Sequence, residues 1–267
     1  MFPLHDPLDD ALRTELAQYD DLTAALLARR GIVTKEDAER FLNPSYDTHL
    51  HDPFLMTDMS LAAERLGMAI LSKERIAIWS DYDCDGIPGG VLLHDFLKKV
   101  GANFENYIPH RHDEGYGMNT DGIEKLAREN GATLVVTVDA GIADEGPVAR
   151  AKELGMDVIV TDHHLPGEQL PDAYAILNPN ARASETYPFR SLCGSAVAWK
   201  LVCATLAAAP SLRERVPIGW EKWLLDMVGL ATIADMVPLV DENRVLATYG
   251  LLVMRKSPRV GLQKLCR

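Results

Sequence analysis

Short apolar runs alternate with amphipathic stretches through the middle of the chain. Most of these runs are rich in Val, Ile and Leu at successive positions, which is typical of strands covered on both faces of a parallel sheet. The stretches between them have the length and spacing of helices. This alternation predicts an α/β fold, a doubly wound parallel sheet of right-handed βαβ units with flanking helices. The predicted strands are RIAIW (75–79), NFENYI (103–108), TLVVTVD (133–139), DVIVTD (157–162) and, as a further candidate, AYAIL (173–177).

The N-terminal part of the chain is predicted to be helical. Ala and Leu are frequent over residues 8–30, which predicts one helix ended by Gly31. Thr34 is expected to cap a short second helix, and a polar linker with two prolines follows it. A third helix is expected over residues 60–72. We therefore expect a helical extension and linker over residues 1–55.

The rest of the chain forms the main predicted domain. After the alternating segment, the sequence is mostly helical from Gly194 onward. No internal repeat or low-complexity segment interrupts it. We therefore expect one α/β domain over residues 56–250, followed by a further helical segment over residues 251–267.

Composition is that of an ordinary globular protein. The chain has 267 residues, of which 47% are hydrophobic and 25% charged. Four cysteines are scattered without a CxxC pair, which argues against structural zinc and a disulfide framework. No apolar run is long enough to span a bilayer, and no signal peptide pattern follows Met1. We expect a cytoplasmic protein with no membrane partner.

The formal net charge of −12 bears on whether the protein binds nucleic acid. A protein that coats duplex nucleic acid is usually basic, so this charge counts against broad nucleic-acid binding. It leaves open a local basic groove, or a cluster of carboxylates offset by bound cations.

Acidic and histidine side chains follow three of the predicted strands, at the point where each strand ends. The carboxyl ends of parallel strands meet at one edge of the sheet, where ligands bind. If the three strands are neighbours, these side chains converge. They are Asp81, Asp83 and Asp85 after the first strand, Asp139 after the third, and Asp162, His163 and His164 after the fourth.

So many carboxylates in one crevice need compensation, because like charges raise their pKa values and cost stability. Divalent cations supply it, and a mixture of Asp and His suits Mn²⁺, or Zn²⁺ or Fe²⁺, better than Ca²⁺. Gly89 and Gly90 would let a substrate phosphate approach the backbone at a helix start. A single aspartate at a strand end is usually a turn or cap residue, but the same chemistry at three strand ends favours a metal site. Asp235, in an apolar setting, is by itself more typical of a turn.

The order of the motifs points to a family. DYDCDG, VTVDAGI, VTDHH and ATIADMVPL, with PHRHDEGYGMN and the helix start CGSAVAWKL, resemble the DHH phosphoesterase superfamily. The resemblance is closest to its RecJ family of single-strand-specific exonucleases, and it extends over nearly the whole chain. Four ordered motifs with matching flanks are far more specific than a lone DHH.

The resemblance implies roles for individual residues. One group would bind two metal ions: Asp83 the first, Asp85, His163 and Asp235 the second, with Asp139 bridging them. Another group would act on the substrate: His164 on the scissile phosphate, Arg111 as a phosphate-binding residue, and Asp81 as either a ligand or an acid behind the ligands. Tyr116 is a candidate for stacking on a base.

The chain departs from the family pattern in two respects. Family members carry hydroxyl residues after the DxDG step, whereas this chain has Ile87-Pro88-Gly89-Gly90, so phosphate contacts there would be made by the backbone only. Members also continue into a DHH-associated domain and often an oligonucleotide-binding fold. We therefore expect residues 251–267 to begin a connecting helix to such a domain.

The activity implied by the resemblance is hydrolysis of phosphodiester bonds by two metal ions about 3.5–4 Å apart. Mononucleotides would be released stepwise from the 5′ end of single-stranded DNA during repair and recombination. The implied cofactor is Mn²⁺, with Mg²⁺ as a substitute. Single-strand-binding protein and a RecQ-type helicase are implied partners, and a monomer is expected.

Other functions remain as alternatives. Within the superfamily, a nanoRNase or pAp phosphatase would act on short oligonucleotides, but the PHRHDEGYG segment and the N-terminal extension favour the exonuclease. The related pyrophosphatases begin their first motif with a histidine, where this chain has Trp79 and Ser80. A non-catalytic replication scaffold would have lost ligands, and all are present here. A dinucleotide-binding domain would need G-x-G-x-x-G.

Overall fold

The structure is a computed structural model that describes residues 8–265. The chain forms two compact units, which divide between Leu50 and His51. Among the described residues, no helix has the length and apolar character that crossing a membrane requires.

The first unit is a small helical unit with its own core. Where the sequence predicts one helix over residues 8–30, the structure has two, because Asp20 caps a new helix through bonds from the N–H groups of Leu22 (3.1 Å) and Thr23 (3.0 Å). Thr34 caps the third helix, as predicted. The helices are α1 (Asp10–Glu15), α2 (Asp21–Ala28) and α3 (Lys35–Leu42). Their core contains Leu16, Ala24, Leu27, Ile32 and Ala38.

The second unit contains the sheet. The alternation of strands and helices expected from the sequence is confirmed element by element. The strands are β1 (Arg75–Ser80), β2 (Asn103–Tyr107), β3 (Leu134–Val138), β4 (Asp157–Thr161) and β5 (Ala175–Leu177). The helices are α4 (Met59–Leu71), α5 (Gly86–Val100), α6 (Thr120–Arg128), α7 (Glu145–Glu153), α8 (Gly194–Ala208), α9 (Pro210–Arg213), α10 (Leu225–Ala234), α11 (Asp241–Met254) and α12 (Val260–Leu265).

The sheet is parallel throughout, in the order β2-β1-β3-β4-β5. The predicted fold class is therefore confirmed. The chain moves outward from β1 to β2 and then returns to place β3 on the other side of β1. In this topology the crevice for ligands opens between β1 and β3, where the strand order reverses.

Helices cover both faces of the sheet. Ala77 and Trp79 of β1 point into a core shared with α6 and α7. The alternate residue Ser80 faces α5, and α5 packs so closely that a Cβ on Gly90 would lie 2.1 Å from the Ser80 Oγ. Parallel strands buried on both faces account for the continuous apolar runs in the sequence.

A buried ion pair joins α8 to the start of α11. Lys200 Nζ lies 2.5 Å from Glu242 Oε1, and both side chains are almost fully buried. Glu242 also accepts bonds from the Tyr187 hydroxyl and the His51 N–H, and Lys200 donates to the carbonyl of His51. Each partner is thus satisfied, as a buried charge requires.

At the amino end of the strands, the edge opposite the ligand crevice, an arginine of α4 makes a separate clamp. Arg65 bonds Asp157 at the start of β4 (2.6 Å) and both oxygens of Glu74 (2.8 and 3.1 Å). Glu74 also accepts from Thr133, just before β3. The Arg65 bonds lower the pKa of Glu74 despite its partial burial.

The segment predicted to begin a connecting helix coincides with the end of α11 and with α12, and its last two residues lie outside the described part of the chain.

Candidate metal centre

The turn after β1 holds the three aspartates of DYDCDG. Oδ1 of Asp83 accepts the N–H groups of Asp85 (2.8 Å) and Gly86 (2.9 Å), which curls the chain into α5. A Cβ at Gly86 would lie 2.5 Å from the carbonyl oxygen of Asp81. The glycine is therefore required by the tightness of this turn.

Asp85 is held by a helix far away in sequence. It is fully buried, and its two carboxylate oxygens accept the N–H groups of Gly194 (2.6 Å) and Ser195 (2.8 Å) in the first turn of α8. The Ser195 hydroxyl donates to the carbonyl of Asp85 at 2.6 Å. The free N–H groups and dipole of a helix start stabilise an anion, so α8 fixes Asp85 in place.

Asp139, directly after β3, is the most unusual residue of the site. Its φ of 59° lies in the left-handed region, and its side chain is buried. A Cβ added to Gly194 would lie 2.8 Å from the Cβ of Asp139, so the start of α8 packs directly against Asp139. Burial, then the charges of Asp85 and Asp83, raises the pKa of Asp139 well above its usual range.

The end of β4 presents two histidines with different surroundings. Nε2 of His163 lies 3.1 Å from Oδ1 of Asp139, 3.7 Å from Asp85 and 3.8 Å from Asp235. Nδ1 of His164 lies 2.8 Å from Oδ1 of Asp162. This hydrogen bond raises the pKa of His164 in spite of partial burial.

Asp162 holds its two neighbours rather than facing the centre of the site. Oδ1 accepts the N–H groups of His163 (2.7 Å) and His164 (3.1 Å), and Oδ2 accepts the Ile142 N–H (3.0 Å). Burial acts to raise its pKa, but the bonds from His164 and Ile142 outweigh burial and the pKa is lowered. Asp162 therefore orients the ring of His164.

Two asparagines after β5 fix the histidine backbone. Asn178 donates to the carbonyl of His164 (2.9 Å) and Asn180 to that of His163 (2.8 Å). Neither was a candidate on sequence grounds, although the NPN run directly after the fifth predicted strand was the available signal.

Asp235 reaches the site from the C-terminal end of α10. Its Oδ2 lies 3.8 Å from Nε2 of His163, so the side chain stands beside the other candidates. Burial, followed by the charge of Asp85, raises the pKa of Asp235. The next residue, Met236, has a φ of 60°, so the chain turns sharply as it leaves the site.

Seven of the sequence candidates converge into three groups whose donor atoms lie within 4.8 Å of one another. Asp139 belongs to two of them, and so does His163. The groups are Asp81, Asp83 and Asp139; Asp85, His163 and Asp235; and Asp139, His163 and His164.

The donor set suits divalent cations. Oδ1 of Asp81 and Oδ1 of Asp139 are buried and lack a hydrogen-bond partner among the described residues. Nε2 of His163 lies 3.1 Å from Oδ1 of Asp139, but the contact does not have the geometry of a hydrogen bond. Burial also raises the pKa of Asp81, and the charge of Asp83 adds to the effect. A cation would satisfy these oxygens and relieve their repulsion, and oxygen with imidazole ligands fits Mn²⁺.

Arg111 and Tyr116 lie in the loop after β2, on the rim of the site. The guanidinium of Arg111 lies 4.3 Å from the ring centre of Tyr82, and Tyr82 contacts Tyr116 edge to face. The Tyr116 hydroxyl lies 3.2 Å from Nε2 of His164. These side chains therefore form a continuous aromatic and cationic rim beside the histidines.

Gly89 and Gly90 lie near the start of α5 and pack against the sheet. Both are buried, a Cβ at Gly89 would lie 2.4 Å from Val138, and the Gly89 N–H is bonded to the carbonyl of Asp85. They allow α5 to pack against the sheet. Their contact with a substrate phosphate remains a prediction that this packing does not favour.

Sequence comparison relates the chain to known proteins. The model of the DHH family, N-terminal domain, matches residues 75–232. The single-stranded-DNA-specific exonuclease RecJ of Bacillus subtilis is 44% identical over 255 residues, which cover 95% of this chain and 30% of that protein. RecJ of Escherichia coli is 35% identical over 261 residues, covering 93% of this chain and 43% of the relative. The chain thus spans less than half the length of these relatives.

Structural comparison agrees with the sequence. The crystal structure of an exonuclease RecJ bound to manganese superposes with a TM-score of 0.69 at 32% identity, covering 79% of this chain and 51% of that chain. RecJ of Thermus thermophilus in complex with Mn²⁺ gives a TM-score of 0.74 at 28% identity, covering 96% of this chain and 34% of that chain.

Proposed function

The chain belongs to the DHH family, and from this premise we propose that it is a metal-dependent phosphodiesterase, a single-strand-specific 5′→3′ DNA exonuclease of the RecJ type. One observation carries the proposal. Two groups of metal-binding side chains meet beside a single buried carboxylate, Asp139, at the point where the strand order reverses. RecJ proteins with this fold bind manganese.

The residues present fit two divalent ions, with Mn²⁺ preferred and Mg²⁺ as a substitute. Asp81, Asp83 and Asp139 would hold one ion. Asp85, His163 and Asp235 would hold the other, and Asp139 would contribute to both. When bound, such ions generate a nucleophile from water near neutral pH and offset charge on a phosphoryl group.

His164 would act on the phosphate itself. Because its Nδ1 faces the Asp162 carboxylate at 2.8 Å, a proton on Nε2 is directed toward the rim, where the Tyr116 hydroxyl now lies. A phosphoryl oxygen in place of that hydroxyl would accept this proton as a hydrogen bond. Donors fixed in advance stabilise charge that develops in the transition state.

Arg111 would bind a phosphate of the strand, which the planar guanidinium matches in geometry. Among the described residues its close contact is the ring of Tyr82, which leaves its donor atoms available. Tyr116, 58% exposed, would stack on a base. The proposal extends to the implied partners, a single-strand-binding protein and a RecQ-type helicase, because both would present the same single strand.

The test is digestion of a 5′-phosphorylated, 3′-labelled single strand in Mn²⁺. We expect stepwise shortening with release of mononucleotides, no digestion of the matching duplex, and no activity in Asp139→Ala. Asp172→Ala is the matched control, since Asp172 is an exposed carboxylate outside the site, and it should digest normally. Equal digestion by Asp139→Ala, or none by the unchanged chain with Mn²⁺ bound, would contradict the proposal.

A further inference from the structure

A second concave site lies beside the candidate metal centre, on the α5 face of the sheet at the carboxyl ends of β1 and β2. Its volume is about 390 Å³, within the range of about 300–1,000 Å³ that is usual for small-molecule sites. We call it the β2 pocket. It is lined by Ser80, Ile87, Gly90, Val91, His94, Asn106 and Ile108.

The pocket combines apolar walls with one polar edge. Ile87 and Ile108 remain 42% and 49% exposed, which leaves much of two branched side chains uncovered at one place. The polar edge is formed by His94 and Asn106, whose Nδ1 and Nδ2 atoms lie 2.9 Å apart. The His94 ring is also packed edge to face on Phe104, so this edge is held in position.

The β2 pocket is joined to the metal centre through the backbone. Ser80 immediately precedes Asp81, and the N–H of Ile87 donates to the carbonyl of Asp83 at 3.2 Å. Ile108 is followed three residues later by Arg111. The pocket and the metal centre therefore share the end of β1 and the first turn of α5.

We propose that the β2 pocket binds the nucleobase of the 5′-terminal nucleotide, the one that digestion releases. The inference rests on the proposed function and names the part of the substrate that this pocket takes. A base has flat apolar faces and polar edges, and proteins hold it between apolar side chains with hydrogen bonds at the edge. The walls and the edge of the β2 pocket offer both.

The chemistry of the lining residues sets which bases the pocket takes. Ile87, the first residue after the DxDG step, supplies an apolar wall. The amide of Asn106 offers both donor and acceptor atoms, so the polar edge accepts any base. Purines bind more tightly than pyrimidines here, because they bury more apolar surface.

Fluorescence titration of the whole chain with the deoxyribonucleoside 5′-monophosphate of 2-aminopurine, in Mn²⁺, measures this binding without any turnover. Ile87→Ala and Ile108→Ala should each weaken binding by about fivefold to tenfold. Both side chains are partly exposed, so the fold persists, which circular dichroism checks. Ile218→Ala, at a 96% exposed isoleucine outside the pocket, is the matched control and should bind as the unchanged chain does.

Competition with deoxyribose 5-phosphate shows whether the base is held. We expect it to compete at least tenfold more weakly than deoxyadenosine monophosphate. Equal competition by the two, or unchanged binding in both Ile→Ala variants, would overturn the inference.

Digestion separates this inference from the proposed function. Strands with and without a 5′-terminal base should differ in kcat/KM for the unchanged chain and converge for Ile108→Ala. Equal digestion of both strands by the unchanged chain overturns the pocket and leaves the nuclease standing. Binding of the mononucleotide that depends on Ile87 and Ile108, without any digestion, supports the pocket and contradicts the nuclease.

Discussion

Asp139 combines two energetically unfavourable features of this site. A left-handed backbone in a non-glycine residue is unfavourable. So is a buried oxygen that finds no hydrogen-bond partner among residues 8–265. Such features persist where the surroundings enforce them, and here the packing of Gly194 against Asp139 does so. The carboxylate is held ready between two groups of ligands, at the expense of stability.

The orientation of His164 can be tested at Asp162. Asp162→Asn keeps the shape of the side chain but removes the charge that holds the imidazole, so we expect digestion to slow by about 10- to 100-fold, as is usual when a supporting residue of a metal site is lost. Bound Mn²⁺ should stay unchanged, because Asp162 belongs to none of the three ligand groups. Single-turnover digestion and Mn²⁺ titration measure the two effects.

Asp144→Asn provides the comparison. Asp144 also accepts a backbone N–H, that of Met118 at 2.9 Å, and it contacts neither histidine. Its replacement should leave the digestion rate within about twofold. If Asp144→Asn slowed digestion as much as Asp162→Asn does, any carboxylate substitution near the metal centre would slow the reaction. The role given to Asp162 would then be wrong.

At the scale of elements, α8 is the helix that shapes the metal centre. Gly194→Ala places a Cβ 2.8 Å from that of Asp139, and the first turn of α8 must move away from Asp85. We expect Mn²⁺ affinity to fall by about 10- to 100-fold, measured by titration. The control is Gly146→Ala in α7, where an added Cβ meets nothing within 4 Å, and its Mn²⁺ affinity should be normal. A normal Mn²⁺ affinity in Gly194→Ala as well would contradict this role of α8.

The clamp made by Arg65 lies at the opposite edge of the sheet and should affect stability alone. Because the folded pKa of Glu74 is lowered from its ordinary value of 4.5, its contribution is present above about pH 4.5 and is lost as the pH falls below that value. The difference in unfolding free energy between the unchanged chain and Glu74→Gln, from urea titrations, should therefore shrink between pH 6 and pH 3. A difference that grows as the pH falls would reverse the sign and refute the account.

Element positions follow from the sequence where the local pattern is strong. The apolar runs of β1, β3 and β4 predict the strands, because parallel strands covered on both faces bury every side chain. The helix expected over residues 8–30 is in fact two, because the capping bonds of Asp20 compete with continuation of α1. Composition alone does not distinguish these outcomes, since Ala and Leu continue on both sides of the break.

The sequence predicted less of the site than of the sheet. Strand ends predicted which acids and histidines meet, and the geometry brings them together. The support of Asp85 by Gly194 joins residues 109 positions apart, and no local pattern encodes it. The sequence suggested a phosphate contact at Gly89 and Gly90. Glycine is required both where elements pack closely and where a ligand approaches the backbone, so the two cases can be told apart only from the residues that surround the glycine.

At the scale of the whole molecule, the buried pair of Lys200 and Glu242 ties α8 to the segment that follows Asp235. Lys200→Met leaves Glu242 charged and buried without its main partner, which should lower the free energy of unfolding by about 3–5 kcal/mol. Urea titration measures this loss. The double variant Lys200→Met/Glu242→Gln should recover most of it, and a loss that is unchanged in the double variant would show that packing rather than charge is responsible.

The proposed function requires the edge of the sheet to hold two ions around Asp139. The most direct measurement is the number of Mn²⁺ ions bound per chain, with electron paramagnetic resonance to detect whether they are neighbours. We expect two ions with a spin-coupled signal, and in Asp139→Ala the loss of that coupling together with much weaker binding. A single ion, two uncoupled ions, or full binding by Asp139→Ala would contradict the proposed function.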